Sequence, residues 1–166
     1  MVSSRSRIAV PADLGVVASW IASQRECALW AGPSVRFPLE LSALPDQIGM
    51  AGAINVALED DQGLAAFGQA LPRPPGCAHL ARVIVRPGAR RRGLGRALVE
   101  ALLARAEVAG LSPVTLNVYR DNAAAAALYA ELGFRCVERP DGDSASPGIC
   151  FMQHGIDPSA AERGGE

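Results

Sequence analysis

The stretch VRPGARRRGLGRALVEALL, residues 85–103, joins an apolar run to an amphipathic helix through an arginine-rich loop. The start of a helix presents unpaired backbone N–H groups and the positive end of the helix dipole, so it attracts phosphate. Gly93 and Gly95 have no Cβ atom to keep an anion away from the backbone. Four arginines add positive charge at the same point: Arg90, Arg91, Arg92 and Arg96. The pattern predicts a binding loop for a pyrophosphate group.

Two other phosphate-binding loops do not fit this spacing. A Walker loop needs a lysine, and the sequence contains none. A dinucleotide fingerprint places its first glycine directly after the strand and a third glycine near position 98. Here the strand ends near Val85, well before Gly93, and position 98 is Leu98. The loop is therefore predicted to bind a pyrophosphate without being a Walker loop or a dinucleotide fingerprint.

The composition indicates one ordinary globular domain. The chain has 166 residues, of which 49% are hydrophobic and 20% are charged, and its net charge is −1. Basicity is local to the loop, and aromatic residues are not interleaved with it, which disfavours a nucleic-acid partner. No stretch approaches the roughly 18–20 apolar residues of a membrane span. The N-terminal residues lack the apolar core of a signal peptide.

The cysteines and histidines do not form a recognisable ligand pattern. Four cysteines are scattered without a CxxC pair: Cys27, Cys77, Cys136 and Cys150. We expect them to be buried, reduced thiols in a cytoplasmic protein. His79 and His154 are too isolated for a metal site, so no metal is predicted.

The hydrophobic pattern predicts a mixed α/β domain over residues 1–157. Seven strands are predicted, at 7–10, 54–59, 63–71, 80–85, 114–118, 134–138 and 149–154. Helices are predicted after Asp13 as an N-cap, after the arginine loop up to Gly110, and from Asn122 to Gly133. Residues 26–52 are expected to form short helical turns and loops, and residues 158–166 a disordered tail.

Two motifs in this order resemble those of GNAT-type N-acetyltransferases. The first is V-x-P-x-x-R-R-x-G-x-G, which begins at Val85 and ends at Gly95. The second is N-x-x-A-x-x-L-Y-x-x-x-G-F, which begins at Asn122 and ends at Phe134. One helix and the predicted strand 114–118 separate them. The resemblance is close from about His79 to Phe134 and looser before Leu71.

The resemblance implies a GNAT fold: a single mixed, mostly antiparallel sheet, splayed between strands 4 and 5, with helices on both faces. Acetyl-coenzyme A is the implied co-substrate, and it would enter the split. Its pyrophosphate would meet backbone N–H groups of the arginine loop, and its pantetheine arm would pair with the strand before it. The implied coenzyme-binding residues are Val83, Ile84, Val85, Arg90, Arg91, Arg92, Gly93, Leu94, Gly95, Arg96 and Asn122.

The resemblance also implies the residues that move protons. Tyr129 is the implied general acid for the departing thiolate, although it also fits a core aromatic residue. His79 stands where many relatives have a glutamate base, and a solvent-facing histidine fits the position equally well. Other relatives place a glutamate on the next strand, where this chain has Asn117, which leaves a water relay open. A backbone N–H near Ile84 or Val85 would stabilise the thioester oxygen.

The implied activity is direct transfer of an acetyl group to a primary amine in a ternary complex. The alternative is a non-catalytic, coenzyme A-binding sensor with the same fold. The acceptor is a small-molecule or peptide amine, with no nucleic acid and no membrane as partner, and a homodimer is left open. Trp30 and Phe37 either line the acceptor pocket or anchor the loops beside it as buried aromatics.

Overall fold

The architecture is known from a computed structural model that describes residues 3–140 and 148–155. The strands are β1 (Arg5–Ile8), β2 (Ile54–Asp60), β3 (Gly63–Arg73), β4 (Cys77–Val85), β5 (Val114–Tyr119), β6 (Arg135–Cys136) and β7 (Ile149–His154). The helices are α1 (Asp13–Ser19), α2 (Gln24–Ala31), α3 (Leu44–Gln47), α4 (Leu94–Val108) and α5 (Ala123–Glu131). The predicted tail, residues 158–166, lies outside the described residues.

All seven strands belong to one sheet in the order β1-β2-β3-β4-β5-β7-β6. Neighbouring strands run antiparallel except β4 and β5, which are parallel. A parallel pair needs a crossover connection, and α4 provides it. The predicted mixed and mostly antiparallel sheet is confirmed.

Each face of the sheet has its own hydrophobic core. On one face α4 packs on β2, β3 and β4, and its buried residues include Leu98 and Leu102. Residues of α5 pack against the same core. On the other face α1 and α2 enclose Phe67, which is fully buried. The prediction of helices on both faces is correct, and both cores meet at the central strands β3 and β4.

The sheet opens between β4 and β5. These strands pair only at Ala78 with Val114 and at His79 with Thr115. Beyond His79 the two strands diverge, as predicted for strands 4 and 5. A β-bulge lies directly after this point, because Gln69 of β3 pairs with Ala81 whereas Phe67 pairs with Ile84.

The bulge contains Arg82, whose φ angle of 54° is in the left-handed region. An extra residue in one strand bends that strand and increases its twist. The bulge therefore turns β4 away from β5 where the opening begins.

Two predicted helix starts have different outcomes. The Asn122 side chain accepts a hydrogen bond from the Ala125 N–H, as an N-cap should. Asp13 does not cap α1, because Ala12 takes that position and Asp13 is the first helical residue. The Asp13 carboxylate instead accepts two hydrogen bonds from Arg7, both 2.8 Å long. An ion pair has therefore replaced the predicted cap.

The cysteine prediction is wrong for two of the four residues. Cys136 and Cys150 form a disulfide between β6 and β7, while Cys27 is a buried free thiol as predicted and Cys77 is a free thiol that is only half-buried. The strand register brings the two cysteines together, since Cys136 pairs with Met152, and Cys150 lies two residues from Met152 on the same face of the sheet. Because disulfides are rare in reducing compartments, the expected cytoplasmic location loses the support of an all-reduced cysteine set. None of the described helices is both long and apolar enough to cross a membrane.

Candidate active site

A continuous groove follows the opening between β4 and β5, and it consists of three neighbouring cavities. The loop cavity, about 360 Å³, lies at Arg90–Arg96. The central cavity, about 170 Å³, lies between the diverging strands and reaches Tyr129. The outer cavity, about 340 Å³, is bordered by α2 and His79. Ala125 borders both the loop and central cavities, and Arg82 borders both the central and outer cavities.

The loop cavity lies at the start of α4. Gly93 is the N-cap of this helix and has a φ angle of 79°, a conformation that glycine adopts without steric cost. The first intrahelical hydrogen bond joins the Ala97 N–H to the Gly93 carbonyl, which leaves the N–H groups of Leu94, Gly95 and Arg96 without helical partners. A Cβ atom added to Gly93 would meet no protein atom within 4 Å. The space above the loop therefore fits a bound pyrophosphate.

The arginines of this region point to different partners. Arg90 and Arg91 border the loop cavity. Arg96 also borders it, but its guanidinium pairs with Glu131 of α5. The positive charge of Arg92 acts on Asp60, whose pKa it helps to lower after the larger effect of a hydrogen bond from Arg86. Among the described residues only Arg96 of the four is in an ion pair, and the ligand contacts of all four arginines stay a prediction.

The strand before the loop offers an unpaired edge. Val83 borders the central cavity and Val85 the loop cavity, while the Ile84 side chain packs on the opposite face with the α1–α2 core. Pairing with β5 ends at His79, so this length of β4 has no described strand partner on that side. An extended ligand could pair here as a strand does. The predicted contact with pantetheine stays a prediction.

Tyr129 and Asn122 border the central cavity from α5. The Tyr129 ring packs edge-on against Phe134, with 5.8 Å between ring centroids, and contacts the α4 core. Burial raises the pKa of Tyr129, so its hydroxyl keeps its proton at physiological pH. Tyr129 therefore combines the core packing and the site position that the sequence left as alternatives.

His79 borders the outer cavity from the last paired position of β4. Its Nδ1 lies 2.8 Å from the Thr115 hydroxyl oxygen, and its ring stacks on Phe151. Burial, followed by the smaller effect of the positive charges of Arg73, Arg139 and Arg82, lowers the pKa of His79 to about 4. The imidazole is therefore neutral at pH 7, and the expectation of a solvent-facing histidine is wrong.

This lowered pKa predicts an acid-sensitive fold. The unfolded chain binds a proton on His79 near pH 6.5, whereas the folded chain does so near pH 4. The free energy of unfolding is therefore unaffected by protonation of His79 above pH 6.5. It falls as the pH drops towards 4, by about 2–3 kcal/mol at pH 4.5, because the unfolded chain binds the proton more readily. His79→Gln cannot titrate, so its free energy of unfolding should fall less between pH 7 and pH 4.5. Urea unfolding of both proteins measures this difference, and equal losses would contradict it.

The two aromatic residues of the N-terminal segment have separate roles. Trp30 is buried and borders both the central and outer cavities, so it lines the groove and also anchors α2. Its Nε1–H donates a 3.0 Å hydrogen bond to the Arg82 carbonyl. Phe37 packs against the α1–α2 core and borders none of the three cavities. The pocket prediction fits Trp30, and the buried-anchor alternative fits Phe37.

The sequence interpretation missed Arg82 as a site residue. The sequence pattern assigns no role to Arg82 or Arg86. In the structure Arg86 pairs with Asp60 at 2.6 Å, and Arg82 reaches into the outer cavity and hydrogen-bonds Gln69. The usable signal was a polar amide residue within each of two apolar strands, Asn55 near the start of β2 and Gln69 in the middle of β3, which are buried and bonded to each other.

A mixed sheet that opens beside an anion-binding helix start defines a class of coenzyme-dependent transferases. The chain belongs to the acetyltransferase (GNAT) family, whose model matches residues 18–134. Over 57 residues it is 47% identical to the ribosomal protein bS18-alanine N-acetyltransferase of Escherichia coli K12, covering 34% of this chain and 38% of that relative. Over 96 residues it is 38% identical to the mycothiol acetyltransferase of Thermomonospora curvata, covering 54% of this chain and 31% of that relative.

Solved structures extend the similarity over the whole fold. The ribosomal-protein-S18-alanine N-acetyltransferase from Escherichia coli aligns with a TM-score of 0.66 and 25% identity over 93% of this chain and 96% of its own. The PaiA N-acetyltransferase from Thermoplasma acidophilum, solved with coenzyme A, aligns with a TM-score of 0.72 over 93% and 99% of the two chains. Because the two sequences are only 16% identical, this alignment shows a shared fold alone.

Proposed function

We propose that the protein is an N-acetyltransferase that moves the acetyl group of acetyl-coenzyme A directly to a primary amine in a ternary complex. The observation that carries this proposal is the separation of β4 and β5 after His79. The separation creates a groove with a phosphate-binding helix start at one end and a neutral histidine at the other. In this proposal the coenzyme occupies the loop and central cavities, and the acceptor occupies the outer cavity.

The chain supplies binding and proton transfer, while bound acetyl-coenzyme A supplies an acyl group already activated as a thioester. The N–H groups of Leu94, Gly95 and Arg96 would bind the pyrophosphate, with Arg90 and Arg91 adding charge. The unpaired edge of β4 would align the pantetheine arm. The backbone N–H of Val85, which the register directs away from β3, would stabilise negative charge on the thioester oxygen.

His79 and Tyr129 are the proposed base and acid. As the bond from the amine nitrogen to the acetyl carbon forms, His79 takes a proton from the amine, directly or through water. When Nδ1 carries a proton and donates to Thr115, Nε2 keeps the lone pair that this step requires. As the carbon–sulfur bond breaks, the Tyr129 hydroxyl donates its proton to the thiolate.

No cysteine takes part in this reaction. Burial raises the pKa of Cys27, which keeps that thiol protonated, and Cys136 and Cys150 are joined to each other. Cys77 is a free thiol that borders none of the three cavities. The described residues contain no group of three or more metal-ligating side chains. Residues 1–157 are proposed as one domain, since β1 to β7 belong to a single sheet. A cytoplasmic location and the oligomeric state, monomer or homodimer, stay part of the proposal.

The proposal predicts a pH-dependent defect in His79→Gln. At pH 7 the variant should lose at least tenfold in kcat, because general bases contribute about 10²–10⁴-fold. At high pH the acceptor amine loses its proton unaided, so the defect should shrink. Free thiol release from acetyl-coenzyme A, measured across pH with an amine panel, tests this. A pH-independent defect would favour a water relay.

The same assay separates the enzyme from a coenzyme A sensor. A sensor would bind acetyl-coenzyme A and release no thiol with any amine of the panel. Salt-sensitive binding to RNA or DNA would instead favour a nucleic-acid function for the arginine loop.

A further inference from the structure

Arg82 is held at the inner wall of the outer cavity by neutral groups. Its carbonyl accepts the hydrogen bond from Trp30 of α2, which fixes the bulge. Its Nη1–H donates to Gln69 Oε1 at 3.0 Å, and the Gln69 amide donates to Asn55 Oδ1 at 2.7 Å. This chain of amides orients the guanidinium but leaves its positive charge uncompensated.

Among the other half-buried arginines that the structure describes, Arg7, Arg86 and Arg96 pair with carboxylates, whereas Arg105 and Arg139 do not. Of all these arginines, only Arg82 has a buried guanidinium nitrogen without a hydrogen-bond partner among the described residues. Arg7 bonds the carboxylates of Asp13 and Glu59, and Arg86 bonds that of Asp60. Arg82 has no carboxylate within ion-pair distance among residues 3–140 and 148–155, and its buried Nε–H has no acceptor there. A buried cation without a counter-ion is costly, so such an arrangement is expected where a ligand supplies the anion.

The charged side chains around the outer cavity are positive, like Arg82. Among the described lining residues of this cavity Arg82 is the one charged side chain, and none is an aspartate or glutamate. The charges of Arg73 and Arg139 also reach His79. Arg139 donates a 2.8 Å hydrogen bond to Asn117, which borders the cavity from β5. A polycationic amine would therefore be repelled, whereas an anionic group would be attracted.

We propose that Arg82 binds a carboxylate carried by the acceptor, so that the acceptors are primary amines bearing a nearby anionic group. This inference rests on the proposed function and names its substrate class. Arginine suits the role because its planar guanidinium presents several N–H donors to a carboxylate at once. The carboxylate belongs either to a free amino acid or to an acidic residue near the N-terminus of a peptide.

The test compares amines that differ only in the carboxylate. The panel pairs β-alanine with β-alaninamide, peptides beginning with Asp or Glu with those beginning with Asn or Gln, and adds a diamine. Thiol release gives kcat/KM, corrected for the free-amine fraction of each compound. We expect at least a tenfold preference for the carboxylate in one of the two pairs, which identifies its source. Equal rates within both pairs, or a preference for the diamine, would overturn the inference while leaving the acetyltransferase proposal intact.

Variants of Arg82 supply the second arm. Arg82→Gln should raise KM for the carboxylated amine at least tenfold and leave KM for the matched amide unchanged. The affinity for coenzyme A should stay within twofold of the parent value. Arg82→Lys keeps the charge and should recover part of the loss. Arg5→Gln, at a site 80% exposed on β1, is the matched control.

Equal losses of activity towards the acid and the amide would mean that Arg82 has only a structural role. If Arg82→Gln does not fold, Arg82→Lys and the paired substrates still decide. If no amine of the panel is acetylated, both proposals fail together.

Discussion

Replacing Tyr129 by phenylalanine is expected to lower kcat by at least tenfold and by as much as about 10⁴-fold, with little change in coenzyme A affinity. The substitution removes one hydroxyl and keeps the ring that packs on Phe134. The fold should therefore survive. The loss arises because the leaving thiolate no longer receives a proton from a phenol that burial keeps protonated.

The chain provides its own control for this experiment. Tyr119, the other tyrosine, also borders the central cavity but lies on β5 and is 43% exposed. Tyr119→Phe should retain nearly full activity. Steady-state kinetics on both variants, with coenzyme A affinity measured by calorimetry, makes the comparison. Full activity in Tyr129→Phe would mean that solvent protonates the thiolate and that the ring only packs.

Gly93→Asp is expected to abolish the stabilisation that coenzyme A gives to the fold. A ligand at 100 times its Kd adds about 2.7 kcal/mol to the free energy of unfolding, which corresponds to about 5–10 °C in Tm for a domain of this size. An aspartate at the N-cap of α4 would place a negative charge where the pyrophosphate is proposed to bind. Thermal unfolding with and without coenzyme A measures the effect.

Gly93→Asn is the matched control for this substitution. Asparagine and aspartate have nearly equal volumes, and both tolerate the positive φ angle of Gly93 better than most residues. A Cβ atom at this position meets no protein atom within 4 Å, so neither variant should unfold. The asparagine variant should keep most of the shift in Tm. The assignment of the loop fails if the aspartate variant keeps it too, or if millimolar coenzyme A does not stabilise the parent protein.

The sequence predicts the half of the groove that we propose for the coenzyme, because local signals define it. Glycine at position 93 has a positive φ angle, and Asn122 caps α5, and both are properties of single residues in their own segments. Hydrophobic periodicity then places α4 between two strands. The opening between strands 4 and 5 was implied by the resemblance to GNAT-type N-acetyltransferases. These features depend little on distant parts of the chain.

The acceptor half was not predictable in the same way, because tertiary contacts define it. Arg82 lies within a run that reads as a regular strand, and its bulge is fixed by Trp30, which is distant in sequence. Asp13 has the sequence features of a cap, yet its carboxylate pairs with Arg7. The disulfide between Cys136 and Cys150 depends on the register of β6 and β7, which cysteine spacing does not reveal.

The bulge at Arg82 and the start of α4 at Leu94 belong to one uninterrupted segment of chain. The distance from the acceptor's proposed anchor to the arginine loop is therefore limited by the length of β4 and of the loop after it, while the hydrogen bond from Trp30 of α2 fixes the bulge itself. The acceptor wall, in contrast, includes α2 and the residues after it. Changes in that wall can select a new amine without altering the reach of the coenzyme. Inserting one residue between Arg82 and Val85 would reverse the facing of the side chains beyond it and so uncouple the two ends of the groove.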